Sequence, residues 1–76
     1  MVTEKRIFVY PDVCNGKPVV RGTRVTVETI LGYLAAGDSA DDILRQYPQL
    51  EPADIPACLE FASQLMAHRY SITEAI

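Results

Sequence analysis

The spacing of apolar residues along the chain changes once, near Thr26. Before that point Ile7, Phe8, Val9 and Tyr10 form a β-branched and aromatic run that Pro11 and Asp12 end, which predicts one short strand. Asn15-Gly16 follows as a turn signal, because both residues tolerate positive φ. Val19 and Val20 predict a second short extended piece, restricted to an edge by Pro18 and broken by Gly22-Thr23. Two strands this short are unstable alone, so the ribbon must lie against the helices or against the same ribbon of a second copy.

From Thr26 the period becomes helical. Val27, Ile30, Leu31, Leu34 and Ala35 fall on one helix face, with Thr26 as the cap and Gly37 as the stop. Ser39 and Asp42 form a capping box with Asp in place of Glu, ahead of Ala40, Ile43, Leu44 and Tyr47, and Pro48 ends this second helix. A third and longest helix is predicted from the stripe Ile55, Cys58, Leu59, Ala62, Leu65 and Met66, with Pro52 in its first position. Pro56 conflicts with that start, since at a fifth helical position it would press on the Pro52 carbonyl, and Asp54 is the alternative cap. The tail YSITEAI is too short for a helix of its own and reads as an arm.

The expected organisation is a single domain over 1–76, with a β-ribbon arm over 1–25, a three-helix unit over 26–69 and a tail over 70–76. The expected fold class is mainly α, a three-helix helix-turn-helix with a short N-terminal β-ribbon. With 76 residues, 49% hydrophobic and 22% charged, the composition is that of one folded domain rather than a disordered tail. A domain this small leaves much apolar surface exposed, so a homodimer is expected. The run Ile7 to Tyr10 is far short of an export signal or membrane span, which predicts a cytoplasmic protein with no membrane partner. Cys14 and Cys58 are then reduced, and Cys58 on the apolar stripe acts as a small hydrophobe.

Charge is unevenly divided. Residues 1–25 carry five cations against two carboxylates, net +3, and residues 26–76 carry two cations against eight carboxylates, net −6. A nucleic-acid contact would therefore start from the N-terminal third. The third helix opens with Glu51 and Asp54, carries Glu60, and has no Lys or Arg before Arg69, which argues against its reading bases in a groove. The basic candidates are Lys17, Arg21 and Arg24, set around a Gly22-Thr23 bend. The alternative to a contact surface is that Arg21 and Arg24 make structural ion pairs with Glu28, Asp41 or Asp42.

Catalytic chemistry is poorly supplied. Gly16-Lys17 lacks the Ser or Thr and the upstream Gly of a phosphate loop. His68 is the single histidine, and a Cys58–His68 pair would be separated by about 15 Å along one helix. The expectation is a protein that is not an enzyme, with no cofactor, no metal and no small-molecule substrate.

Three segments, CNGKPVVRGTRVTV, AAGDSADDIL and QYPQLEPADIPACLEFA, give the stretch from Asp12 to Leu59 a resemblance to the bacterial family known as domain of unknown function 433. The GKP…RGTR element is its most specific part. The resemblance implies a homeodomain-like or winged-helix-like fold and a role as the antitoxin of a two-gene pair, facing a PIN-like ribonuclease toxin; operator DNA is a further expected partner, and the alternatives are a stand-alone DNA-binding regulator or a structural dimerisation module. This chain departs from the family where it has Glu51-Pro52 in place of Thr-Pro at the start of the third helix. The residues expected to bind a partner protein or DNA are Lys17, Arg21, Gly22, Thr23 and Arg24.

Overall fold

A computed structural model of the chain describes residues 6–68. Two strands, β1 (Ile7–Val9) and β2 (Pro18–Val20), pair antiparallel with Ile7 opposite Val20, Phe8 opposite Val19 and Val9 opposite Pro18. Three helices follow: α1 (Val27–Ala35), α2 (Ala40–Gln46) and α3 (Asp54–His68). The architecture is therefore mainly helical, three helices carrying a two-stranded antiparallel sheet. The predicted tail over 70–76 lies outside the described residues.

The strands are joined through a 3₁₀ turn at Cys14–Gly16, in which Cys14, Asn15 and Gly16 all take positive φ. Asn15-Gly16 is the part of that turn visible in the sequence. Pro18 is tolerated in β2 because of its place in the ladder. The Arg21 N–H donates to the Arg6 carbonyl at 2.6 Å, and hydrogen-bonded rungs alternate, so the Val9–Pro18 rung needs no N–H from Pro18.

Each helix boundary has a local cause. The Thr26 hydroxyl accepts the Thr29 N–H and opens α1. Gly37, at φ 100°, closes it: its N–H donates to the Leu34 carbonyl and the Asp38 N–H to that of Tyr33, a Schellman motif. Ser39 and Asp42 form both halves of the predicted capping box at the start of α2. In α3 the structure resolves the conflict at Pro56. The helix begins at Asp54, so Pro56 is its third residue, where a missing N–H is one of the donors that no helical partner awaits.

The core gathers the inner face of the ribbon, Ile7 and Val20, with Val25, Val27 and Ile30 from α1 and the segment before it. Ile43, Leu50, Ile55, Ala57 and Cys58 complete it. Burial pushes the Cys58 thiol up to about 12, with the Asp54 charge adding to the effect, so this cysteine stays a protonated, inert apolar group.

The predicted stripe on α3 needs correction. Leu59, Leu65 and Met66 are each about half exposed, while Ala57 and the partly buried Phe61 face inward. Leu59 and Met66 lie more than about 100° around the helix from the direction shared by Asp54, Ala57, Cys58 and Phe61. Leu65 points nearly along that direction but stands at the open end of a shallow apolar groove of about 250 Å³ between α1, β2 and α3. Among the described residues no helix is long and apolar enough to cross a membrane.

Candidate functional site

The site is built on the segment that leaves β2. The Thr23 N–H donates to the Val20 carbonyl at 3.0 Å, closing a β-turn over Val20-Arg21-Gly22-Thr23. Gly22 occupies its third position with φ 77°, a conformation that glycine reaches without steric cost. The space around Gly22 is open, so this φ, and not crowding, makes the position one for glycine.

Thr23 fixes the turn a second time. Its hydroxyl donates to the Val20 carbonyl at 2.8 Å and accepts the Val25 N–H at 3.0 Å. The Val20 N–H donates to the Val25 carbonyl, so the chain doubles back beside β2 before α1 begins. A third tie comes from Cys14, whose thiol reaches the Arg24 carbonyl at 3.4 Å. Arg21 and Arg24 thus project from a backbone held at several points, and both side chains are exposed.

The five predicted residues do not form one cluster. Lys17 is drawn away to Glu28 on α1, Nζ to Oε1 2.9 Å, in a pair exposed on both sides, and the hydrogen bond to Glu28 holds its ammonium above the ordinary value. Arg21, Gly22, Thr23 and Arg24 stay together on the turn. The alternative of structural ion pairs is not realised for the two arginines. Glu28 is taken by Lys17, and Asp42 by Arg45 and the Ser39 cap. Among the described residues neither Arg21 nor Arg24 meets a carboxylate.

Sequence reasoning missed Arg6. Its Nη1 donates to Glu51 Oε1 and to Asp54 Oδ1, each at 2.9 Å, and Asp54 Oδ2 accepts the Glu51 N–H at 2.7 Å. Asp54 is only 4% exposed, a depth at which an ionised carboxylate needs partners. The bonds to Glu51, then to Asp54, raise the affinity of the Arg6 guanidinium for its proton. A carboxylate directly before Ile55, on the inward side of a helix start, was the signal available in the sequence. The identity of its cation follows only from the ribbon's position against α3.

Arg6 and Arg21 line one small hollow of about 100 Å³ with Val20, Gln49, Glu51 and Asp54. Arg6 therefore offsets one of the two carboxylate charges at the acidic start of α3, and Arg21, which meets no carboxylate among the described residues, stands at its rim. On the other side of the turn, Gly22, Thr23 and Arg24 border an open, largely apolar groove of about 380 Å³ with Tyr10 and Val13. Among the described residues no group of three or more His, Cys, Asp or Glu could hold a metal ion.

Fold and site define a class: a small, mainly helical domain whose N-terminal ribbon carries a basic turn at the start of the longest helix. The chain belongs to the DUF433 family of proteins of unknown function, whose model matches residues 7–62 and so takes in the ribbon, the turn and all three helices to Ala62. A DUF433 member protein from Anabaena variabilis has a similar crystal structure, with TM-score 0.78 and 29% identity over 87% of this chain. The chain is also 44% identical over 45 residues to the uncharacterized protein y4eO of Sinorhizobium fredii, a match covering 59% of this chain. It spans 65% of the Anabaena chain and 20% of y4eO.

Proposed function

We propose that this domain is a non-catalytic binding module of the antitoxin type, and that its Arg21-Gly22-Thr23-Arg24 turn enters an acidic site on a PIN-like ribonuclease. One observation carries the reading. Of the Lys and Arg side chains within residues 6–68, Arg6, Lys17 and Arg45 pair with carboxylates of the described residues, while Arg21 and Arg24 do not, although they stand on a turn tied at several points. A pre-set backbone leaves only the two side chains to be ordered on binding, and the fork geometry of their guanidinium groups suits carboxylates that would otherwise hold a metal. A guanidinium seated there would block the nuclease by occupying the metal position.

The test is the double variant R21E/R24E against the product of the neighbouring reading frame. Loss of capture in a pull-down and recovery of nuclease activity, with the helical circular dichroism unchanged, are the expected results. Full capture by the folded double variant would remove the turn from the interface.

A second reading, operator DNA bound as a helix-turn-helix regulator, draws on a different observation. Arg6 offsets one of the two carboxylate charges at the start of α3, and Arg21, which meets no carboxylate among the described residues, stands beside them, so this end of the helix is less hostile to phosphate than its sequence implies. It requires retardation of upstream DNA that weakens steeply as salt rises; no retardation at low salt would exclude it.

A further inference from the structure

We propose that β1 is an interface strand, and that it pairs antiparallel with the β1 of a second copy about a two-fold axis passing beside Phe8. The ladder itself supplies the argument. Arg6–Arg21 and Phe8–Val19 are the hydrogen-bonded rungs, so the N–H and C=O groups of Ile7 and Val9 point away from β2. None of the described loop, turn or side-chain groups bonds to them. The outer side of β2 is different. There the chain has folded back on itself, the Val20 N–H donating to the Val25 carbonyl and Val19 bridging Thr26. Among the described residues the ribbon therefore has one closed edge and one open edge.

The open edge is short, three residues between Arg6 and Tyr10, but within it no charge or proline blocks pairing. Ile7, Phe8, Val9 and Tyr10 include no charge and no proline, and Phe8 and Val9 are 36% and 56% exposed. The Phe8 and Tyr10 rings stack beside this edge, their centroids 5.8 Å apart. A free, apolar, hydrogen-bonding edge invites another strand, and the occupant that fits is a second copy. With Phe8 on the axis, Ile7 of one chain faces Val9 of the other in the hydrogen-bonded rungs. The two Phe8 residues meet in the close, non-bonded rung, where aromatic pairs contribute most. Both open edges are consumed, both closed edges face outward, and assembly stops at two. The resulting four-stranded sheet extends a ribbon whose inner face the helices already cover. It carries two copies of the Arg21 turn about 20 Å apart, at opposite ends of the sheet.

The pairing stands independently of what the arginine turn binds, and its test does not use that partner. Hydrogen exchange read amide by amide is the direct measurement. Phe8, bonded within its own ribbon, is protected at every concentration. Ile7 and Val9 are expected to exchange at least about tenfold more slowly in concentrated than in dilute protein, in step with a doubling of the 8.4 kDa mass by sedimentation. Val9→Pro removes an outward N–H that the ribbon does not use, and Phe8→Lys sets two like charges on the axis; each should give a folded monomer with unchanged helical dichroism. Rapid exchange at Ile7 and Val9 at all concentrations would overturn the proposal. So would a dimer that survives Val9→Pro and Phe8→Lys but is split by Leu65→Glu, which would place the contact in the apolar groove beside α3.

Discussion

Arg6 and Arg21 face each other just beyond the ribbon, one before β1 and one after β2, and have opposite fates. The backbone bond between them is 2.6 Å long. Arg6 turns toward α3 and is held by Glu51 and the buried Asp54, whereas Arg21, across the rung, meets no carboxylate among the described residues. The difference lies in the neighbourhood and not in the residue type. Arg6 precedes the buried Ile7 and lies over the inward side of a helix start that contains a carboxylate needing a cation. Arg21 is the second residue of a β-turn, a position that points outward. A basic segment in a sequence thus mixes charges used in folding with charges left available, and the local backbone separates them.

The largest expected effect breaks the folding side of this pair. Asp54→Ala removes the buried one of the two Arg6 acceptors and the acceptor of the Glu51 N–H, and takes a hydrogen-bonded carboxylate out of the interior. It should cost about 3 kcal/mol and lower the melting temperature by roughly 12–24 °C. The R21E/R24E double variant should melt with the parent protein. Arg6→Met should destabilise in the same direction as Asp54→Ala, and a double-mutant cycle between them should show strong non-additivity. A D54A protein that melts normally would mean that the clamp does not hold α3 to the ribbon.

Legibility in the sequence follows the same division between local and distant causes. The caps of α1 and α2, the Gly37 stop and the Asn15-Gly16 turn are set by residues within a few positions of each other, and all were readable. The burial of α3 was not. Its stripe was drawn from apolar residue types, but which flank faces inward depends on where α1 and the ribbon lie. Leu59, Leu65 and Met66 are apolar residues left outside by that placement. The candidate site was half legible. The RGTR bend was visible, yet that Lys17 would be drawn to Glu28 and Arg6 to Asp54 depends on contacts 11 and 48 residues apart in the chain.

A smaller effect sharpens the binding side. Gly22→Ala forces a side chain into φ 77° and should cost roughly 1–2 kcal/mol by denaturant unfolding. Gly37→Ala, at φ 100° beyond the end of α1, should cost a similar amount. The two variants are thus matched in stability and differ in place. If a preset turn presents Arg21 and Arg24, Gly22→Ala weakens partner capture and Gly37→Ala leaves it intact. Equal loss in both would trace the defect to stability alone.

The smallest effect belongs to Lys17, which stands between the two fates: it has a carboxylate partner, but on the surface. Its exposed pair with Glu28 anchors no buried group, so Lys17→Met should leave both partner capture and neutral-pH melting nearly unchanged. What remains has a definite pH sign. Glu28 holds the folded-state ammonium above its ordinary value, so the pair's contribution is fully present below the unfolded-chain value of about 10.4 and is lost as pH rises through the folded one. Any small difference in melting between parent and K17M should therefore persist from neutral pH into the mildly alkaline range and close above it. A K17M protein that captures partner as poorly as R21E/R24E would show that the binding surface extends along α1 to Glu28, and that pairing with a surface carboxylate does not withdraw a cation from it.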